Sequence, residues 1–231
     1  MNFELKQELY TYLCSFATTN KCDLIEKNIQ YRTRHITIVL EDIFQPQNAS
    51  AVLRSCDCLG IHDIHIIEKE NKFQAIPEIS MGSSKWVNTI HYRRDENNIS
   101  FVYNKLRANG YRIIATTPHK HDLLIEDLPI DQKTALVFGT ELDGLSEKAI
   151  NQADGWVRIP MYGFTESYNI SVSAAISLFH LSEKLRKTPI NWQLSEEEAL
   201  DIKLEWIKKV VKASSNIEKA FWAKKLIHNN L

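Results

Sequence analysis

The stretch "LVFGTELDGLSEKA", residues 136–149, has the spacing of a phosphate-binding loop, with a hydrophobic run and then Gly139 and Gly144 separated by four residues. The lysine such a loop needs is missing, because Leu145 and Ser146 follow the second glycine. Glu141 and Asp143 stand inside the loop, where they would repel phosphate. No glycine pair in the chain forms G-x-G, so the dinucleotide fingerprint is absent as well. Both observations disfavour nucleotide triphosphate and ordinary dehydrogenase chemistry. A glycine at the carboxyl end of a parallel strand still lets a ligand lie against bare backbone. The stretch therefore reads as strand, ligand-facing loop and short helix (145–153).

Outward from this point the same alternation repeats. "ITIVLED" (36–42) is β-branched and continuous, a buried strand ending in acids. "NASAVLRSCDCLG" follows as a helix, with Asn48 suited to the N-cap and Gly60 to the position just past the end. "IHDIHII", "YRIIATT", "TALVFG" and "WVRIPM" read as further strands, and a helix near 98–109 stops at Asn109-Gly110. "NISVSAAISLFHLSEKLRK" is a helix that is apolar nearly all round at its start, as a buried end would be. Strands alternating with helices predict an α/β fold, a parallel sheet sandwiched between helices. Residues near 2–16 form an amphipathic helix, and "SEEE" and "SNIE" are capping boxes opening two basic helices after Pro189. The expected organisation is an N-terminal helical extension (1–30), a central α/β domain (31–189) and a basic C-terminal helical extension (190–231).

Composition narrows the class. Of 231 residues, 44% are hydrophobic and 25% charged, which supports a core without disulfides. No apolar run approaches the ~18 residues of a membrane span, and the N-terminus lacks a secretory pattern, so a cytoplasmic protein without a membrane partner is expected. The cysteines form no C-x-x-C, and Cys56 and Cys58 fall two apart on a helix, facing different ways. The loop His119-Lys120-His121-Asp122 has two imidazoles but no further cluster, and no metal is expected. Net charge is −1, yet residues 203–231 hold seven lysines against Glu205 and Glu218, with Trp206, Phe221 and Trp222 interleaved. That is a local basic, aromatic surface of the kind RNA uses.

Polar chemistry collects at three strand ends. The first is "EDIFQPQNASAVLR", where Asn48 and Arg54 are six residues, about 9 Å of helix, apart. Arginine leans back along a helix, so the pair presents an amide and a cationic fork together. The second is the glycine loop. The third is "IPMYGFTESYNISVSAA", where Ser167, Tyr168, Asn169 and Ser171 open the buried helix. Polar junctions at several strand ends are what a ligand crevice at a topological switch point requires.

In that order and spacing the three junctions, together with "GSSKW" (82–86), resemble the SPOUT superfamily of methyltransferases, the α/β-knot enzymes. The resemblance covers roughly residues 30–190, and the flanking helices look like those of the tRNA guanosine 2′-O-methyltransferase branch. It implies a deep C-terminal trefoil knot, bound S-adenosylmethionine (leaving as S-adenosylhomocysteine), and an obligate homodimer with each active site at the interface. The matching cofactor residues are Thr116, Thr117, Gly139, Thr140, Glu141, Ile159, Met161, Ser167, Tyr168 and Asn169. The matching catalytic residues are Asn48, Arg54, Glu141 and Asn169. Gln47 stands where many relatives carry histidine, and Tyr168 where leucine is common.

The implied reaction is methyl transfer to a ribose 2′-hydroxyl of RNA, with the D-loop guanosine of tRNA as target. Ribosomal RNA and a catalytically silent RNA-binding knot protein are the alternatives. Arg54 is the family's usual base, but a guanidinium with a pKa above ~12 suits that role poorly. It is better read as steadying the developing alkoxide and a neighbouring phosphate, with phosphate or water taking the proton. Asn48 would position the ribose or Arg54, and Glu141 would orient Arg54. Arg32, Arg34, Lys85, Lys208, Lys209 and Lys212 are the expected RNA contacts.

Overall fold

The computed structural model describes residues 1–93, 98–118 and 123–228. The chain divides into two compact units, Thr33–Trp192 and, separately, Met1–Arg32 with Gln193–Leu231. In chain order the elements are α1 (Phe3–Cys14), α2 (Thr19–Ile29), β1 (Ile36–Glu41), α3 (Pro46–Cys58), β2 (Asp63–Ile67), α4 (Pro77–Ser80) and β3 (Asn88–Tyr92). They continue with α5 (Asn98–Ala108), β4 (Arg112–Thr116), β5 (Leu123–Leu124), β6 (Thr134–Phe138) and α6 (Glu147–Asn151). The last are β7 (Gly155–Arg158), α7 (Ile170–Arg186), α8 (Glu196–Val210) and α9 (Ser214–His228).

The larger unit is built on a seven-stranded sheet in the order β3-β2-β1-β6-β4-β7-β5. Every pairing is parallel, with Ile36 facing Thr134 and Arg112 facing the same Thr134. Central strands of such a sheet are covered on both faces, which is why β1 and β6 are buried at every residue. Side chains alternate between two cores. Ile36, Ile38, Leu40, Leu136 and Phe138 pack with Val52 and Leu53 of α3 and Ala174, Leu178 and Leu181 of α7. Val39, Ala135 and Val137 pack with Val102, Tyr103 and Leu106 of α5.

The strand order reverses around β1 and β6, since β2 and β3 run outward on one side and β4, β7 and β5 on the other. All strands being parallel, their carboxyl ends share one edge, and the chain leaves that edge at the three polar junctions. Among the described residues seven strands stand where sequence pattern shows five, the additional ones being β3 and the two-residue β5.

One expected boundary is corrected. The third helix begins at Pro46, with Gln45 at the N-cap, so Asn48 lies inside the first turn and does not cap it. Proline is favoured at the first helical position because its missing N–H needs no partner there. The cysteines of this helix behave as their spacing requires, Cys56 being buried and Cys58 exposed.

In the smaller unit α8 packs against α1, α2 and α9. Leu9, Leu13, Ile25, Ile29, Leu200, Leu204 and Ile207 are buried. Ser195 and Glu198 form the capping box that opens α8. No helix among the described residues is long and apolar enough to cross a membrane.

Candidate active site

The acids that close β1 build the edge on which the site rests. Glu41 accepts hydrogen bonds from the Ser146 amide (3.0 Å) and hydroxyl (2.6 Å), fixing the start of α6 just after the glycine loop. Burial pushes the Glu41 carboxyl above its ordinary pKa, and the bonds from Ser146 oppose that rise. Asp42 sits at φ 53° and accepts from the backbone amides of Lys69, Glu70 and Asn71 at 2.8–2.9 Å. The ends of β1 and β2 are thereby clamped together.

The glycine loop is closed on itself. The Thr140 amide donates to the Gly144 carbonyl at 2.9 Å, and a Cβ on Gly139 would lie 2.1 Å from the Gly144 carbonyl carbon. Gly139 is required because the chain returns against it. The loop forms one wall of a cleft that also takes in the ends of β4 and β7 and the start of α7. Thr116, Thr117, Gly139, Thr140, Glu141, Ile159, Met161, Ser167 and Tyr168 all line it. Phe138, Leu145, Ile150, Val157 and Ile170 give it apolar walls.

Asn169 joins these residues through a hydrogen-bonded chain. Its side-chain oxygen accepts from the Ser171 amide and hydroxyl at 2.8 and 2.6 Å, capping α7. Its Nδ2 donates to Asn48 Oδ1 at 3.0 Å, and Asn48 Nδ2 donates to Glu141 Oε1 at 2.6 Å. An ionised carboxylate only accepts, so Glu141 sets the orientation of the Asn48 amide and, through it, that of Asn169. Three segments far apart in sequence meet in this network.

Arg54 is outside it. Six helical residues turn a side chain about 240° around the axis, so Arg54 and Asn48 leave α3 on different faces. Arg54 is exposed and makes no hydrogen bond or ion pair among the described residues. Glu141 therefore holds Asn48, and the expected contact between Glu141 and Arg54 is not made within one chain.

The expected RNA contacts separate into two groups. Arg32 is 4% exposed and stacks over Trp206 at 5.1 Å, while Arg34 pairs with Asp63 at 2.8 Å. Both are used inside the protein, because a guanidinium leaves water readily when a ring or a carboxylate receives it. Lys208 pairs with Glu218 at 2.8 Å. Lys85, Lys209 and Lys212 are exposed. The candidate loop at 119–122 lies outside the described residues, and no group of three or more metal-binding side chains occurs among those described.

Arg158, Ser173 and Ser177 also line the cleft without having been singled out, and Asp143 of the glycine loop lines it beside Glu141. A signal for the serines existed: Asn169, Ser173 and Ser177 recur every four residues and so share one face of the helix.

Residues 35–179 match the model of the SpoU rRNA Methylase family. The chain belongs to that family. A tRNA (guanosine(18)-2'-O)-methyltransferase of Borreliella burgdorferi is 45% identical over 206 residues, 89% of this chain and 93% of that protein. The A. aeolicus TrmH/SpoU tRNA modifying enzyme superposes with a TM-score of 0.75 at 25% identity, covering 82% of this chain and 96% of that one. The SpoU methyltransferase AviRb of Streptomyces viridochromogenes, in complex with the cofactor AdoMet, shares the fold with a TM-score of 0.57 at 23% identity, over 70% of this chain and 62% of that one. Within the SpoU family frame, the cleft and the Asn48–Glu141–Asn169 network lie at the carboxyl edge of the sheet.

Proposed function

We propose that the chain is an S-adenosylmethionine-dependent methyltransferase acting on a ribose 2′-hydroxyl of RNA, with guanosine 18 of tRNA as target. The Asn48–Glu141–Asn169 network carries this reading, because it ties three strand-end junctions together beside one mixed cleft. Near-full-length similarity to a protein named for that reaction supports it. The reading includes a C-terminal knot, a homodimer with its sites at the interface, and a cytoplasmic location.

The residues present fit the cofactor. Glu141 Oε2 is buried without a partner among the described residues, and so is the Ser177 hydroxyl. Both line the cleft, together with Asp143 and the apolar side chains of Ile159 and Leu145. Buried orphan acceptors and donors are costly unless a ligand pairs them. A nucleoside with a flat base and a cationic sulfonium matches an acidic loop and apolar walls. When bound, S-adenosylmethionine supplies a methyl group on a sulfonium that departs as a neutral thioether.

The protein's own residues then bind, align and screen. Asn48 gives both amide hydrogens to Glu141 and Gln45 and accepts from Asn169, so it acts by positioning the carboxylate and the second amide. Arg54 is unpaired among the described residues, which leaves its fork available for a phosphate and a developing alkoxide. It reaches a cleft across the proposed dimer interface. A phosphate oxygen or water takes the hydroxyl proton.

Labelled-methyl transfer by the purified protein into tRNA and ribosomal RNA, followed by nucleoside mapping, tests the reading. Label at guanosine 18 of tRNA is expected. The family description favours ribosomal RNA as the second reading, and label confined to rRNA would establish it. Incorporation into neither would leave a silent binder. Phosphate contacts by Lys85, Lys209 and Lys212 predict that tRNA affinity falls roughly tenfold or more between 50 and 200 mM salt. A flat salt response in a filter-binding titration would remove those lysines from the interface.

A further inference from the structure

The three most exposed large apolar side chains among the described residues are Leu142 (93%), Tyr162 (96%) and Phe164 (107%). Scattered exposed apolar residues are ordinary, but these gather at one rim. Leu142 lines the cleft, Tyr162 follows the cleft residue Met161, and Phe164 walls a shallow hollow that shares Pro118 and Met161 with the cleft. We propose that residues 161–166 form a base-stacking platform, on which unpaired bases of the RNA substrate lie against Tyr162 and Phe164 while a neighbouring ribose occupies the cleft. This rests on the reading of the cleft as an RNA methylation site.

The chemistry of the occupant follows from the reaction. A 2′-hydroxyl reaches an enclosed cleft only when its nucleotide leaves the stack, and the bases so exposed present flat π-faces to water. Aromatic side chains receive such faces without regard to sequence. Between the rings Gly163 has no side chain, and a Cβ there would meet nothing within 4 Å, so the loop leaves open space beside them. Thr165 and Glu166, in the same hollow, offer polar atoms for base edges. The proposed homodimer brings a second copy near the cleft, but two rings of about 150–250 Å² each cannot by themselves make an interface of about 800 Å² per partner. The loop is interrupted by polar residues, whereas the core of an interface is depleted of charge.

The test uses the full chain and a tRNA transcript with 2-aminopurine beside the target guanosine. Binding to the wild type is expected to quench the fluorophore. Tyr162→Ala and Phe164→Ala should each raise KM for tRNA about tenfold and weaken the quench, in line with the loss of one stacking partner. Tyr162→Phe and Phe164→Tyr should restore both. S-adenosylhomocysteine affinity by calorimetry, and sedimentation, should match the wild type throughout. Unchanged KM and quench in the alanine variants overturn the platform, as does a drop to a smaller sedimenting species, which would make the rings a subunit contact. A wild type that transfers no methyl group sinks the activity, and quenching on binding then decides the platform alone.

Discussion

Asn48 is held by an acid on one side and an amide on the other, and the geometry forecasts the effect of changing one atom. Asn48→Asp keeps the shape but replaces the donor facing Glu141 Oε1, now 2.6 Å away, by a second acceptor. Two carboxylates that close cannot both ionise, so they share a proton with a raised apparent pKa. S-adenosylhomocysteine affinity of the variant should fall at least tenfold at pH 8, and the gap to wild type should narrow by pH 5.5. A calorimetric gap that is constant with pH would mean that charge repulsion is not the cause. Asp42 makes the second forecast at this scale. It combines a left-handed φ of 53° with three amide hydrogen bonds to residues 69–71. Asp42→Ala loses the acceptor and keeps the strained backbone, costing about 3 kcal/mol in urea unfolding. Asp42→Asn, which tolerates that φ and retains an acceptor, should cost less than half as much.

At the scale of elements, the glycine loop separates steric need from conformational need. Gly139 has no room, its Cβ falling 2.1 Å from Gly144 backbone atoms and 2.3 Å from the Leu145 amide nitrogen. Gly144 has φ +70° and nothing within 4 Å. Gly139→Ala should therefore open the loop and reduce S-adenosylhomocysteine affinity more than tenfold. Gly144→Ala should cost only about 1 kcal/mol of stability and leave binding within a few-fold. Equal binding losses in calorimetry would refute the distinction. Legibility also varied by element for physical reasons. β1 and β6 were readable because strands buried on both faces are almost wholly apolar, and α7 because Ile170, Ala174, Leu178, Leu181 and Leu185 repeat at helical spacing on its buried face. The "NTIHY" strand β3 lies at a sheet edge and the two-residue β5 at the other, where little burial imposes a pattern. The helix "TNKCDLIEKNI" buries only Ile25 and Ile29, too few to mark a period. Asn48 has the residue type of a cap, but Pro46 two positions earlier fits the first helical turn and won. The cleft residues were legible as strand-end polar clusters, whereas the partnership of Glu141 with Asn48 rather than Arg54 depends on helix phase and on a contact across 93 positions.

Across the whole molecule, the pH dependence of stability depends on opposing buried groups, among them His65. Its ring stacks on Tyr92 at 5.8 Å, and Nδ1 lies 2.9 Å from the Tyr92 hydroxyl. Burial pushes its pKa down to about 4, with the Asp63 carboxylate opposing and the Lys105 ammonium adding to the shift. The unfolded chain, with an ordinary histidine pKa near ~6.5, then binds the proton first as pH falls. Stability from His65 is complete above ~6.5 and is lost as pH drops toward 4, by about 3 kcal/mol. Glu41 acts with the opposite sign: its raised carboxyl pKa makes the folded state less stable as pH rises through that value. Comparing variants cancels this background. His65→Gln retains a polar partner for Tyr92 and removes the titration, so its urea-unfolding free energy should fall less than that of the wild type between pH 7 and pH 4, by about 3 kcal/mol. Parallel curves for the two proteins would show that protonation of His65 does not govern the acid limb.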